Sequence, residues 1–305
     1  MGRDNAMKRL LVTLSVVSAL IFCLTACRIT INIDNSSKLE FNLKDDGTYS
    51  VSAGGAFSST ELTIPTRNRG RAVTEIAANG FSGITSLKTV NIPEGIKVVG
   101  AHAFEGCNGI TSVTLPKTLK SIDEYAFGDC LYITDLEIPD SVERIGFGAL
   151  NDCKSLKTLT LPFIGDRSVE PEHPHFGYIF GADSYEYQSN EIPRNLSKII
   201  VTKTNNIPDR AFYNCKNITL IIFPTSLESI GESAFSNCTS LNNLRFHSGL
   251  SSIGSQAFQN CANLTKIHYL GTVEQWKAME IADDWISGVK TLIINCGNGV
   301  IYPFR

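Results

Sequence analysis

Six cysteines carry the first chemical possibility: Cys107, Cys130 and Cys153, then Cys215, Cys238 and Cys261, spaced 23 residues apart within each run of three. A thiol column of that regularity could form a disulfide ladder, hold a metal, or simply fill a core. Stacked parallel strands lie about 4.8 Å apart, inside the usual Cα window of a disulfide, so distance excludes none of the three. Counting discriminates better. Neighbour pairing leaves one cysteine over in each run, and the same slot holds Ile84 in an earlier unit and Pro193 between the runs. A slot that accepts isoleucine is apolar, and free cysteine behaves there as a small buried hydrophobe. Stacked free thiols are therefore the expectation, with disulfides and a metal site as the alternatives.

Other chemistry is thin. The five histidines, at positions 102, 173, 175, 247 and 268, do not recur with a nucleophile. His173 and His175 lie near Glu170 and Glu172 in EPEHPH, but the prolines there leave no helical framework for metal ligands. The chain contains no GxSxG elbow, HExxH, Walker loop, or GxGxxG after a strand. Neither an enzyme nor a catalytic residue, cofactor or metal site is expected. A formal charge of −3 with no basic stripe also argues against nucleic acid, whose recognition needs clustered Lys and Arg.

The elements that hold these residues follow from a repeat. Phe81, Phe104, Phe127 and Leu150 are 23 residues apart, as are Phe212, Phe235 and Phe258. An aliphatic residue precedes each by five positions: Ile76, Val99, Ile122, Ile145, Ile207, Ile230 and Ile253. Proline follows in step at Pro93, Pro116, Pro139, Pro162 and Pro224, with His247 as an exception. The segment LxxLxLP alternates apolar and polar residues, as in LKTLTLP over 156–162, and predicts a short strand with one buried face. A unit this short cannot bury its apolar face alone, so successive units must stack. Ten strands are expected, at 62–64, 87–92, 110–115, 133–138, 156–161, 196–201, 218–223, 241–246, 264–269 and 292–294.

The pattern AFxxCxxLxxLxLPxxLxxI resembles the BspA-type leucine-rich repeat family of bacterial surface proteins, and covers nearly everything from about Lys38 onward. The resemblance implies a repeat solenoid with a parallel sheet of short strands, used for attachment or protein recognition. An asparagine ladder of the ordinary leucine-rich repeat is missing, so its coil geometry should not be transferred. Solenoids need closed ends. KLEFNLKDDGTYSVS (38–52) offers an N-terminal hairpin turning at Asp46 and Gly47, and GTVEQWKAMEI offers a C-terminal helix with Thr272 as N-cap and Gln275 three residues on. Trp276, Met279 and Ile281 fall on helical spacing there, with Trp276 and Trp285 read as closing residues rather than exposed binding aromatics.

Ahead of the repeats, Arg3, Lys8 and Arg9 precede an uncharged run from Leu10 to Ala26, the anatomy of a signal peptide. Leu24, Thr25, Ala26 and Cys27 resemble a bacterial lipobox, which implies lipidation of Cys27 and an extracytoplasmic protein anchored to the membrane at the cell surface or envelope. Losing Arg3, Lys8, Arg9 and Asp4 with that peptide leaves a net charge of −5. The expected division is a signal peptide over 1–26, a tether over 27–37, a solenoid over 38–270 with an insertion at 163–195, and a closing segment over 271–305.

The outward strand positions hold the candidate contacts. Most are polar, including Asp135, Glu137, Arg245, Lys266 and His268, but after the insertion they become Lys198 with Ile200, then Leu220 with Ile222. An apolar patch on a sheet face usually marks contact with something. The favoured expectation is that the insertion folds back as a lid, burying Ile200, Leu220 and Ile222 beneath Phe176, Tyr178 or Phe180. The competing one is that insertion and patch form a ligand groove. The function expected is a non-catalytic adhesion or protein-binding scaffold whose partner is a protein, such as host extracellular matrix or another cell surface. The alternative is glycan binding, with Tyr178, Tyr185 and Tyr187 of the insertion stacking on sugar rings.

Overall fold

The computed structural model describes residues 38–55, 57–165 and 174–304. The signal peptide, Cys27, the tether, and Glu170, Glu172 and His173 lie outside the described residues. Among those described, no helix is long and apolar enough to cross a membrane.

Each LxxLxL segment forms a strand, shorter than its sequence signature because the proline and the preceding turn trim both ends. The strands are Glu61–Thr63, Thr89–Asn91, Ser112–Thr114, Asp135–Glu137, Thr158–Leu161, Lys198–Val201, Leu220–Ile222, Asn243–Phe246, Lys266–Tyr269 and Ile293–Cys296. They pair in parallel and in register within three successive runs, 61–114, 135–222 and 243–296, with Leu136, Leu159, Ile199 and Ile221 aligned in the middle run, so like positions share a face. The inward residues Leu136, Leu159, Ile199, Ile221, Leu244 and Ile267 are all buried.

A second ladder runs along the other side of the stack. Val98–Val99, Ser121–Ile122 and Arg144–Ile145 form one run of short parallel strands, and Asn206–Ile207, Ser229–Ile230, Ser252–Ile253 and Glu280–Ile281 another. Up to Ile253 these hold the aliphatic positions five residues before each phenylalanine, or before Leu150 in the case of Ile145. Glu280–Ile281 corrects one expectation. The helix after Thr272 covers only Val273–Lys277, and Ile281 pairs with Ile253 instead of continuing it. In-register pairing with the previous turn stabilises Ile281 more than one further helical residue would.

Between short strand and long strand the chain turns through AFxxC. Every one of these turns bends at two left-handed residues, one two positions before the phenylalanine and one two after: His102 and Gly106, Tyr125 and Asp129, Ser233 and Asn237, Gln256 and Asn260. Gly, Asp and Asn tolerate that region best, which explains why the residue before each cysteine is one of the three. The backbone of each turn bonds to the next, Phe104 N–H to the Ala126 carbonyl at 2.8 Å and Phe235 N–H to Ala257 at 2.7 Å.

The phenylalanine rings form the axial column. Centroids are 5.4 Å apart for Phe81 and Phe104, 5.3 Å for Phe104 and Phe127, 5.2 Å for Phe212 and Phe235, and 5.0 Å for Phe235 and Phe258, with the ring planes nearly parallel. Phe57 stands edge-on to Phe81 at one end, and Trp285 edge-on to Phe258 at the other.

At the N-terminal side, Leu39–Leu43 pairs antiparallel with Tyr49–Ala53, which continues in parallel into Arg71–Ile76. Gly47 makes the turn at φ 79°. At the C-terminal side, Thr272 and Gln275 exchange hydrogen bonds as a capping box, of 3.2 Å to the hydroxyl and 2.8 Å to the amide oxygen. Trp276 and Trp285 are both buried there. Thr272→Ala should lower stability by about 1 kcal/mol, with amide exchange at 273–277 accelerating before that of the long strands.

Candidate binding surface

The cysteine slot turns out to be filled by hydrogen-bonded thiols. Cys107 donates to the Phe81 carbonyl at 3.0 Å, Cys130 to Phe104 at 3.3 Å, Cys153 to Phe127 at 3.3 Å, Cys238 to Phe212 at 3.0 Å and Cys261 to Phe235 at 3.1 Å. Each thiol thus satisfies a backbone oxygen of the preceding turn, a role that hydrophobicity alone did not reveal. Cys215 is the exception, its sulfur 3.9 Å from the Tyr213 carbonyl, because the turn before it is the insertion. Burial pushes these thiols up, Cys107 to about 11 and Cys153 and Cys261 to about 12. A thiol held protonated in the dark is a core residue, not a nucleophile. His175 is likewise committed: it is buried, and its Nε2 lies 3.0 Å from the Ala182 carbonyl, an atom that only accepts.

The described residues of the insertion do not form the expected lid. Phe176 and Phe180 are fully buried within the axial column, where Phe176 meets Phe212 at 5.0 Å and Phe180 meets Phe176 at 5.2 Å. Phe176–Phe180 is a short 3₁₀ helix whose two ends bond in opposite directions, Phe176 N–H to Ala211 of the following turn and Leu150 N–H to Ile179 from the preceding one. The segment therefore splices two halves of the array. Gln188 completes the splice: fully buried, it accepts from Gly177 N–H at 2.7 Å and donates to the Tyr213 carbonyl at 2.9 Å. Two rings in the column bury more apolar surface than a lid over a shallow patch, which is why the column wins.

The patch stays open to solvent as a result. Leu220 is 39% exposed and Ile222 42%, with Ile200 half-buried beside them. Register places the outward side chains in two rows. The second reads Glu137, Thr160, Ile200, Ile222 along the bonded strands and continues with Arg245 and His268; the first reads Asp135, Thr158, Lys198, Leu220, then Asn243 and Lys266. Asp135 and Glu137 lie on one side of the apolar patch and Arg245, Lys266 and His268 on the other, with Lys198 beside the patch in the first row. Glu137, Lys198, Arg245 and Lys266 form no ion pair among the described residues, whereas on the opposite side Lys120 pairs with Glu143 and Arg210 with Glu232 across successive turns.

The insertion tyrosines do not join this face. Tyr178 stands edge-on to Phe147 at 5.5 Å, in an outer row with Tyr125 and His102. Tyr185 has Tyr213 against it at 5.5 Å and the Arg210 guanidinium over its ring at 5.2 Å. Tyr187, 66% exposed, is the accessible one. Sequence reasoning missed a second apolar stretch, Ile293 at 38% exposure and Val300 at 47%, which meet the same face through the pairing of Asn295 with Val300. Extending the outward-position rule to the tenth strand would have found Ile293.

Two in-register strand ladders around a column of stacked rings define a repeat solenoid. Residues 54–167 and 187–283 match, in six copies, the family described as BspA type Leucine rich repeat region. The chain belongs to that family, and is a leucine-rich repeat protein. Similar solved structures include a leucine-rich repeat protein of T. pallidum, 21% identical with a TM-score of 0.45, covering 75% of this chain and 89% of that one. Another is a leucine-rich repeat protein from Bacteroides ovatus, 18% identical with a TM-score of 0.36, covering 85% and 98%. No curated protein matches the chain.

Proposed function

We propose that this chain is a non-catalytic protein-binding scaffold of the bacterial cell envelope, held there by lipid on Cys27, with the outward face of the long-strand ladder as its contact surface. Leucine-rich repeat proteins generally mediate protein–protein interactions. The observation that carries the reading is the open patch of Ile200, Leu220 and Ile222, set among charges that form no ion pair among the described residues. Clustered exposed apolar side chains rimmed by polar ones mark interaction sites. Residues 38–270 serve as the scaffold, with the hairpin and the segment from 271 closing its ends. Two acyl-type anchors suffice for stable membrane attachment, so the scaffold works where its tether holds it.

Affinity capture from host extracellular matrix and bacterial surface fractions tests this. The double substitution Leu220→Asp with Ile222→Asp should weaken the captured interaction at least tenfold while leaving the urea midpoint within error, since both side chains are exposed. Partners retained at full strength by that variant would overturn the assignment of the surface. Mass spectrometry of the native N-terminus tests lipidation, with an unmodified Cys27 or an uncleaved leader counting against it.

A further inference from the structure

Resting on that reading of the ladder face, we infer that its ligand is a polypeptide segment with a fixed charge order: basic residues at one end, apolar residues in the middle and acidic residues at the other end. The order follows from the rows. Asp135 and Glu137 lie on one strand, Thr158 and Thr160 on the next, Ile200, Leu220 and Ile222 on the following two, then Arg245, and finally Lys266 with His268. Lys198 brings one positive charge into the first row beside the patch, so the second row is the cleaner of the two. From the acidic to the last basic strand there are five inter-strand steps of about 4.8 Å, roughly 24 Å in all. That is the reach of about seven residues of extended chain.

Area decides between a segment and a second copy of the protein. The strands span only three or four residues each, so the strip is about 10 Å wide and offers roughly 250 Å² of contact, at about 3.3 Å per residue. A stable protein–protein interface needs about 800 Å² from each partner. A short segment with complementary ends fits the strip, and its charges gain from meeting unpaired ones, since complementary potentials set register and suppress wrong partners.

The experiment uses the full chain in mild detergent and three labelled synthetic peptides of about ten residues sharing a leucine-rich centre: one with lysines at one end and glutamates at the other, one with lysines at both ends, and one with glutamates at both. Fluorescence anisotropy should show the dipolar peptide binding at least tenfold tighter than the other two. Asp135→Lys with Glu137→Lys should transfer the preference to the peptide with two acidic ends, and Arg245→Glu with Lys266→Glu to the one with two basic ends. The inference is overturned if the three peptides bind within twofold of one another, if none binds, or if the reversals leave the ranking unchanged. It is also overturned if the chain alone dimerises in sedimentation and Leu220→Asp abolishes the dimer. Peptide binding that ignores charge but is lost in the Leu220→Asp, Ile222→Asp variant removes the charge order and leaves the face as the contact surface. Capture that survives that double variant removes the surface itself.

Discussion

Raising the pH from 7.5 to 9.5 under reducing, oxygen-free conditions should collapse the stability of this protein. Burial lifts the thiol column: Cys107 to about 11, Cys153 and Cys261 to about 12, and Cys130, Cys215 and Cys238 well above the ordinary range. In the unfolded chain the same thiols titrate near 8.5. Below that value both states hold their protons and the column contributes its full stability. Above it the unfolded state releases protons that the folded state keeps, so stability falls as pH rises, until the folded thiols themselves ionise. Each thiol then costs about 1.4 kcal/mol per pH unit, and the six together about 8 kcal/mol by pH 9.5. A domain of ordinary stability, about 5–15 kcal/mol, has little left after that loss. Urea midpoints at pH 7.5, 8.5 and 9.5 measure it. Replacing Cys107, Cys130 and Cys153 by alanine should halve the slope, which separates thiol ionisation from general charge repulsion. A midpoint that does not move between pH 8.5 and 9.5 would refute the shifted thiols.

The phenylalanine column shows how far sequence reasoning reached. Its existence was legible because Phe104, Phe127, Phe235 and Phe258 recur at a fixed interval, and a solenoid converts sequence period into spatial stacking. The ten long strands were legible for the same reason, through alternation. The short ladder was not, since two-residue strands such as Ser121–Ile122 carry no alternation to detect; only the recurrence of Ile122 and its equivalents hinted at a second buried line. Nor was the thiol hydrogen bond, because a slot shared with Ile84 looks purely apolar. On the candidate surface, outward positions could be assigned from the strand pattern, so Leu220 and Ile222 were found. What covered them was not readable: the insertion has no period, and whether Phe176 and Phe180 sit over the patch or inside the column depends on where a ring is missing. Leu150 replaces phenylalanine just before the break, which marks the place where the column needed one.

That break should be where the array comes apart. The first half ends on Leu150 and the second begins on Phe212, and the described contacts that join them along the column pass through Phe176, Phe180 and Gln188. In a repeat array, stability is a sum of unit terms and nearest-neighbour couplings, so a weakened coupling splits one cooperative transition into two. Phe176→Ala removes a fully buried ring at a cost of about 3–5 kcal/mol. Gln188→Ala leaves the buried Gly177 N–H without its acceptor, at about 1–3 kcal/mol, and leaves the part-buried Tyr213 carbonyl with only the Cys215 thiol at 3.9 Å. The strand pairing of Thr158–Leu161 with Lys198–Val201 still bridges the halves, so the double variant should fold, and should unfold in two steps by calorimetry where the parent unfolds in one. Hydrogen exchange would assign the earlier step to whichever half lies beyond the splice. Gly177→Ala offers an independent route to the same outcome, because its Cβ would stand 2.3 Å from that of Gln188 and push the helix off the column. A single transition in both the double variant and Gly177→Ala, merely shifted to lower temperature, would mean that the long-strand ladder alone couples the halves and that the insertion is a passenger on it.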